Sequence, residues 1–282
     1  ERYENLIELG LIDKTWKLSP RDEMVPAWST LSDQEKETQD ERMAIYAGMI
    51  DCVDQNVGKI VTALKEMDVY ENTLIVFLHD NGGDVSGGPM GKNETKGTPG
   101  TAESLVHYGK CWANASDTPF RKHKGLVHEG GTATPLIAHW PNGIDASMIG
   151  KIAAEPAHLI DLMATFVDIT GATYPKTFKG HEIIPMEGES LLPILQAEPF
   201  HRDAPIFFEH MGNRGIRLDQ WKLVAVRGKP WELYDMQADR TELNNMAAQM
   251  PKMVEAMKTL YQDWADRCFV KRVKKQNGKT QK

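Results

Sequence analysis

The sequence predicts an α/β fold in two parts: a parallel or mixed sheet flanked by helices up to about residue 175, then a small antiparallel sheet covered by a helix. Three observations carry this. A long capped helical pattern from Ser32 feeds an apolar run at residues 74–79. A second amphipathic pattern at 157–170 stops at Gly171. Beyond residue 189, four short strand-like runs are separated by turn residues and closed by one more helical stretch.

Residues 1–30 are mixed and proline-containing, and read as a connector lying on something else. Ser32, with Glu35 three residues on, forms a capping box. The stripe Met43, Tyr46, Ile50, Val53, Val57, Ile60, Leu64, Met67 then follows one helix face. A coiled coil is the rival, but the apolar run so soon after Met67 favours a helix packed on a sheet. TLIVFLHDNGG, residues 73–83, reads as a buried strand of a parallel sheet and the turn that leaves it. Open α/β sheets bind ligands at the carboxyl ends of their strands. There Asp80 and Asn81 offer hard oxygen donors suited to calcium or magnesium, and the bland alternative is an Asx turn.

Residues 84–104, rich in Gly, Lys and Thr, are expected to form a loop at the edge of that site. The stretch TPFRKHKGLVHEGGTATPLIAHW, residues 118–140, gathers Arg121, Lys122, His123, Lys124 and His128 ahead of Glu129-Gly130-Gly131 and an apolar strand. A basic loop facing a carboxylate turn could clamp an anionic substrate, or could simply be solvated. The polar, Pro- and Gly-bearing residues 174–189 mark the domain boundary.

Composition narrows the function. A net charge of −7 argues against a general nucleic-acid binder, although residues 271–282 hold six basic residues and no acidic one, as a disordered basic tail would. The three cysteines form no CxxC pair, which disfavours zinc. No apolar run is long enough to span a membrane, and no signal peptide is seen in a chain that opens on Glu-Arg.

Taken in order, TLIVFLHDNGG, FRKHKGLVHEGGTATPLIAHWP, HLIDLMATFVDITG, EGESLLPIL, NRGIRLDQWKLVA and WELYDMQADRTELNNMA resemble the C-terminal part of a type I sulfatase, an arylsulfatase-like member of the alkaline phosphatase superfamily. The resemblance implies an incomplete alkaline-phosphatase-like mixed sheet over residues 1–175, and a small C-terminal α+β subdomain with an antiparallel sheet over 176–270. It makes Asp80 and Asn81 calcium ligands, with magnesium the second choice. Lys124 becomes the contact to the sulfate and the ester oxygen. Arg121 and Glu129 would shape the loop, and His210, Asn213 and Arg214 would touch substrate. His79, His123 and His128 are read as strand-end or loop residues. The implied activity is hydrolysis of a small-molecule or carbohydrate sulfate ester by a periplasmic or secreted enzyme.

The family's formylglycine nucleophile arises from the Cys or Ser of a C/S-x-P-S-R run, and these 282 residues contain none. The nucleophile is therefore expected outside this chain, and the chain alone is expected to be inactive. Two alternatives stand: a metal-dependent phosphodiesterase or phosphonate hydrolase of the same superfamily, and a non-catalytic cation-binding fragment.

Overall fold

The computed structural model describes residues 1–270, so the basic tail lies outside the described residues. The chain opens with helix α1 (Arg2–Glu8). The connector after it does lie on another segment: the Ser19 amide donates to the Pro119 carbonyl and its hydroxyl to that of Phe120, each at 3.1 Å.

Helix α2 (Asp33–Glu66) starts at the expected capping box. The Glu35 amide donates to the Ser32 hydroxyl at 3.3 Å, and the Ser32 amide to the Glu35 carboxylate at 2.8 Å. Its first four turns are held by neighbouring segments. Gln39 is buried, donates to the Met90 carbonyl at 2.6 Å, and accepts at its own carbonyl from the Trp112 indole at 3.0 Å. Tyr46 stacks on Tyr108 with centroids 5.3 Å apart. Further along, Ile50, Ile60 and Met67 are 45%, 58% and 61% exposed. The helix is as long as its periodicity predicts, but no described sheet covers its apolar stripe.

Strand β1 (Ile75–Leu78) corrects the expectation of a buried parallel strand. After the two-residue β2 (Lys92–Asn93) and β3 (Val106–His107), helix α3 (Gly109–Ser116) and the helical turn α4 (Glu129–Thr132), the chain reaches β4 (Leu136–His139). β1 pairs with β4 in antiparallel register, from Ile75 opposite His139 to Leu78 opposite Leu136. Phe77 and Ile137 remain exposed. A continuous apolar run reports that a strand wants cover on both faces. It carries no information on a neighbour's direction, and the long connection from β1 to β4 permits either.

Helix α5 (Asp161–Thr170) ends as expected on Gly171 in the left-handed conformation, φ 63°. The hairpin β5 (Thr177–Phe178) with β6 (His181–Glu182) and the turn α6 (Leu192–Leu195) lead to the last unit. There β7 (Ile206–His210), β8 (Asn213–Leu218), β9 (Trp221–Ala225) and β10 (Glu232–Asp235) form an antiparallel meander in the order β10-β9-β8-β7. Side-chain alternation gives this sheet two buried faces. Ile216, Leu223 and Leu233 pack against Val254, Met257 and Tyr261 of helix α7 (Pro251–Arg267), with Phe207 stacked on Trp264 at 4.9 Å. Val224 and Tyr234 point the other way, onto Val127. The second face therefore covers the basic loop singled out in the sequence.

Candidate active site

The β1 exit and the basic loop are stitched together through their backbones. The Gly82 amide donates to the Gly131 carbonyl at 3.2 Å, and the Lys124 amide to the Gly83 carbonyl at 3.1 Å. A β-carbon on Gly82 would collide with the Gly130 carbonyl, so only glycine permits this approach. Asp117 fastens the same turn: its Oδ1 accepts from the Gly83 amide at 2.7 Å. Its Oδ2 is buried without a hydrogen-bond partner, and burial pushes the carboxyl up to about 7 against the pull of that amide.

Lys124 sits at the tip of a turn closed by the Leu126 amide donating to the His123 carbonyl at 3.2 Å. Gly125 takes φ +88° there, the conformation glycine adopts freely. The Lys124 ammonium donates to Asp84 Oδ2 at 2.9 Å. That bond and the Asp84 charge raise its pKa, with Asp80 adding to them. Lys124 thus leans toward the Asp80 turn.

Asp80 is exposed and accepts no hydrogen bond from the described residues. Asn81 donates its amide to the Gly82 carbonyl at 3.0 Å. These two side chains offer oxygen donors of the kind calcium prefers, but calcium takes six to eight. Among the described residues no group of three or more His, Cys, Asp or Glu is placed to hold a metal. The donor set therefore fits part of a calcium shell.

Of the three further candidates, two flank the Lys124 turn. The His210 ring lies about 4 Å from where a Gly125 β-carbon would be. Asn213 is buried and donates to the Gly125 carbonyl at 2.7 Å, while its oxygen accepts from the Arg227 amide at 2.9 Å. Its amide is spent on the turn. Arg214 is not brought to the site. It lies on the α7 face of β8, with its guanidinium 4.6 Å from the Trp231 ring.

Below the loop lies a buried ionic layer. Lys222, fully buried on β9, donates to Glu129 and lies 3.1 Å from Glu242, whose other oxygen accepts from the Glu129 amide at 2.9 Å. Burial lowers the Lys222 pKa, and Glu242 opposes it. Arg240 pairs with Glu129 and lies over Phe120 at 4.8 Å. Arg121 donates to the Tyr234 hydroxyl at 3.1 Å and the Glu242 carbonyl at 2.9 Å. Fully buried His128 meets Glu232 at 3.2 Å, the leading reason that carboxyl falls to about 2. Arg121 and Glu129 do shape the loop, by anchoring it to the C-terminal sheet.

The sulfatase family model matches residues 21–172, more than half the chain. The chain belongs to the sulfatase family. A second model, N-sulphoglucosamine sulphohydrolase C-terminal, matches residues 121–267. An uncharacterised sulfatase of Schizosaccharomyces pombe is 29% identical over 89% of this chain and 48% of its own length. The arylsulfatase of Klebsiella aerogenes is 30% identical over 73% of the chain and 46% of its own. The sulfatase chain thus spans about half the length of these curated relatives. Among solved structures, Ps i-CgsB in complex with k-i-k-neocarrahexaose superposes with TM-score 0.60 at 28% identity, over 90% of this chain and 48% of that one. The phosphonate monoester hydrolase of Agrobacterium radiobacter, TM-score 0.50 at 21% identity over 80% and 41%, shares the fold alone. The fold is alkaline-phosphatase-like, and the family hydrolyses sulfate esters. Among the described residues no helix is long and apolar enough to cross a membrane.

Asp84, Asp117 and Lys222 were not among the site residues expected from sequence. Asp84 had one available signal, a carboxylate four residues after Asp80.

Proposed function

We propose that this chain supplies one side of a sulfuric ester hydrolase site and that the formylglycine nucleophile comes from polypeptide outside it. Asp80 and Asn81 would hold calcium, or magnesium as second choice. Bound there, the ion would neutralise the sulfate oxygens and acidify the nucleophile. Lys124 would place its ammonium on the ester oxygen and stabilise charge developing as the bond to sulfur breaks. His210 would flank the leaving group, and Asn213 would act through the turn it holds. The substrate class is a carbohydrate sulfate, in keeping with the oligosaccharide complex of the similar Ps i-CgsB, and the working compartment is periplasmic or extracellular.

The observation that carries this reading is the convergence of Lys124 on the Asp80 turn through the Gly83 and Asp84 contacts. The exposed apolar stripe of α2 and the exposed faces of β1 and β4 support the second half of the proposal, since they are the surfaces a preceding segment would cover. A sulfate-ester assay with and without calcium tests it, on this chain and on the whole protein. Calcium-dependent turnover by the whole protein and none by the chain is expected. Turnover of phosphodiesters or phosphonates in preference to sulfate esters would sink it.

A further inference from the structure

Asp84 is built into the site as firmly as Lys124. Its Oδ1 accepts from the Ser86 amide at 2.6 Å, and its own amide donates to the Tyr108 hydroxyl at 3.1 Å. Tyr108 is in turn stacked on Tyr46 of α2. The remaining oxygen, Oδ2, meets the Lys124 ammonium at 2.9 Å. Both side chains stay partly exposed, at 47% for Lys124 and 40% for Asp84, so an incoming anion can reach the ammonium with the carboxylate still in place. Contacts with Ser86 and Lys124 hold the Asp84 carboxyl down at about 2 against burial, so it is ionised at neutral pH.

We propose that Asp84 is a specificity-determining residue that biases the Lys124 site toward singly charged anions, such as sulfate monoesters, and against doubly charged phosphate monoesters. The inference rests on Lys124 being the anion contact. A fixed negative charge beside the ammonium lowers the local potential, and the resulting repulsion scales with the charge of the ligand. At roughly 6 Å in a water-like dielectric, one unit of fixed charge changes affinity about threefold per unit of ligand charge. A sulfate monoester carries one negative charge at any pH near neutral. A phosphate monoester carries two once pH exceeds its second pKa of about 6. The carboxylate therefore weakens binding of the dianion by the square of its effect on the monoanion. The pair is exposed enough to contribute little to stability, so its effect is felt in ligand binding rather than in folding.

Methyl sulfate and methyl phosphate provide the test. Each is titrated into the 282-residue chain in calcium-containing buffer at about pH 8, where the phosphate is doubly charged. Binding is followed through the NMR signal of the Lys124 side chain, or through another shifting resonance where that lysine is replaced. Asp84→Asn should tighten methyl sulfate about threefold and methyl phosphate about tenfold, shifting the ratio toward phosphate by about threefold. Asp84→Glu, which keeps the charge, should hold the wild-type ratio. An unchanged ratio in Asp84→Asn, weaker binding of both ligands, or no binding by any variant overturns the proposal. Lys124→Ala separates the two levels. If it binds both ligands as wild type does, the Lys124 reading itself fails. If it abolishes binding while Asp84→Asn leaves the ratio unmoved, only the role of Asp84 falls.

Discussion

The two parts of this chain differ in how they use apolar surface. In the C-terminal unit, Ile216, Leu223 and Leu233 are fully buried and α7 closes over them. In the first part, α2 and the β1–β4 pair carry comparable side chains that stay exposed, Ile137 at 60% among them. The contrast teaches where the chain is self-sufficient. The C-terminal sheet completes its own core and also presents an ionic face that fixes the Lys124 loop. The first part brings chemistry-bearing turns to the same place, with its hydrophobic faces exposed.

That contrast can be broken most severely at Lys222. Lys222→Met would take the ammonium from Glu242 and leave Glu129 with Arg240 alone in a buried layer, and should cost about 3–5 kcal/mol of unfolding free energy in denaturant titrations of this chain. A loss below 1 kcal/mol would mean that the ionic layer is not a closed unit. Leu233→Ala, on the opposite face of the same sheet, should cost about 2–5 kcal/mol by transfer and cavity formation.

Asp117 gives a smaller effect with a pH signature. Its folded pKa of about 7 lies above the ordinary value of 3.8, so between those pH values the folded chain binds more protons than the unfolded one. Its contribution is greatest at low pH and is lost as pH rises toward 7. Asp117→Asn keeps an acceptor for the Gly83 amide and removes the buried charge. At pH above 7 it should therefore stabilise by roughly 1–3 kcal/mol, with the gain fading toward pH 4. A gain that is constant across pH would contradict the assignment. Ile60→Ala, on the exposed stripe of α2, should change stability of this chain by no more than about 0.5 kcal/mol. In the whole protein the same change should reach the range of a core truncation, and thermal melts of both forms decide it.

Much of this was legible in the sequence, for reasons that differ by region. The α2 capping box, the Gly171 stop and the four short strands are set by local spacing and turn chemistry, and local signals survive into the fold. The direction of the β1 neighbour was not legible, because periodicity reports burial and not pairing. Asp80 and Asn81 become candidates through residue type at a strand end, whereas Lys124 is singled out from its basic neighbours only by the resemblance of its loop to the family motif. Lys222 does not: a lysine in the strand WKLVA reads as the solvent-facing residue of a half-buried sheet, and only a sheet buried on both faces turns it inward. Arg214 misled for the related reason that one residue of strand alternation separates it from Asn213 and puts it on the other face.

The most direct measurement compares two lysines of the same loop. In the whole protein, kcat for a sulfate ester is determined for Lys124→Ala and Lys122→Ala. Lys124 reaches toward Asp84 and Asp80 and should lower kcat by roughly 10²–10³ when removed, the scale for losing one stabiliser of transition-state charge. Lys122, two residues earlier with φ 70°, should change kcat little. Equal losses in the two variants would mean that the loop acts only as a basic surface, and the placement of Lys124 at the reacting ester would be wrong.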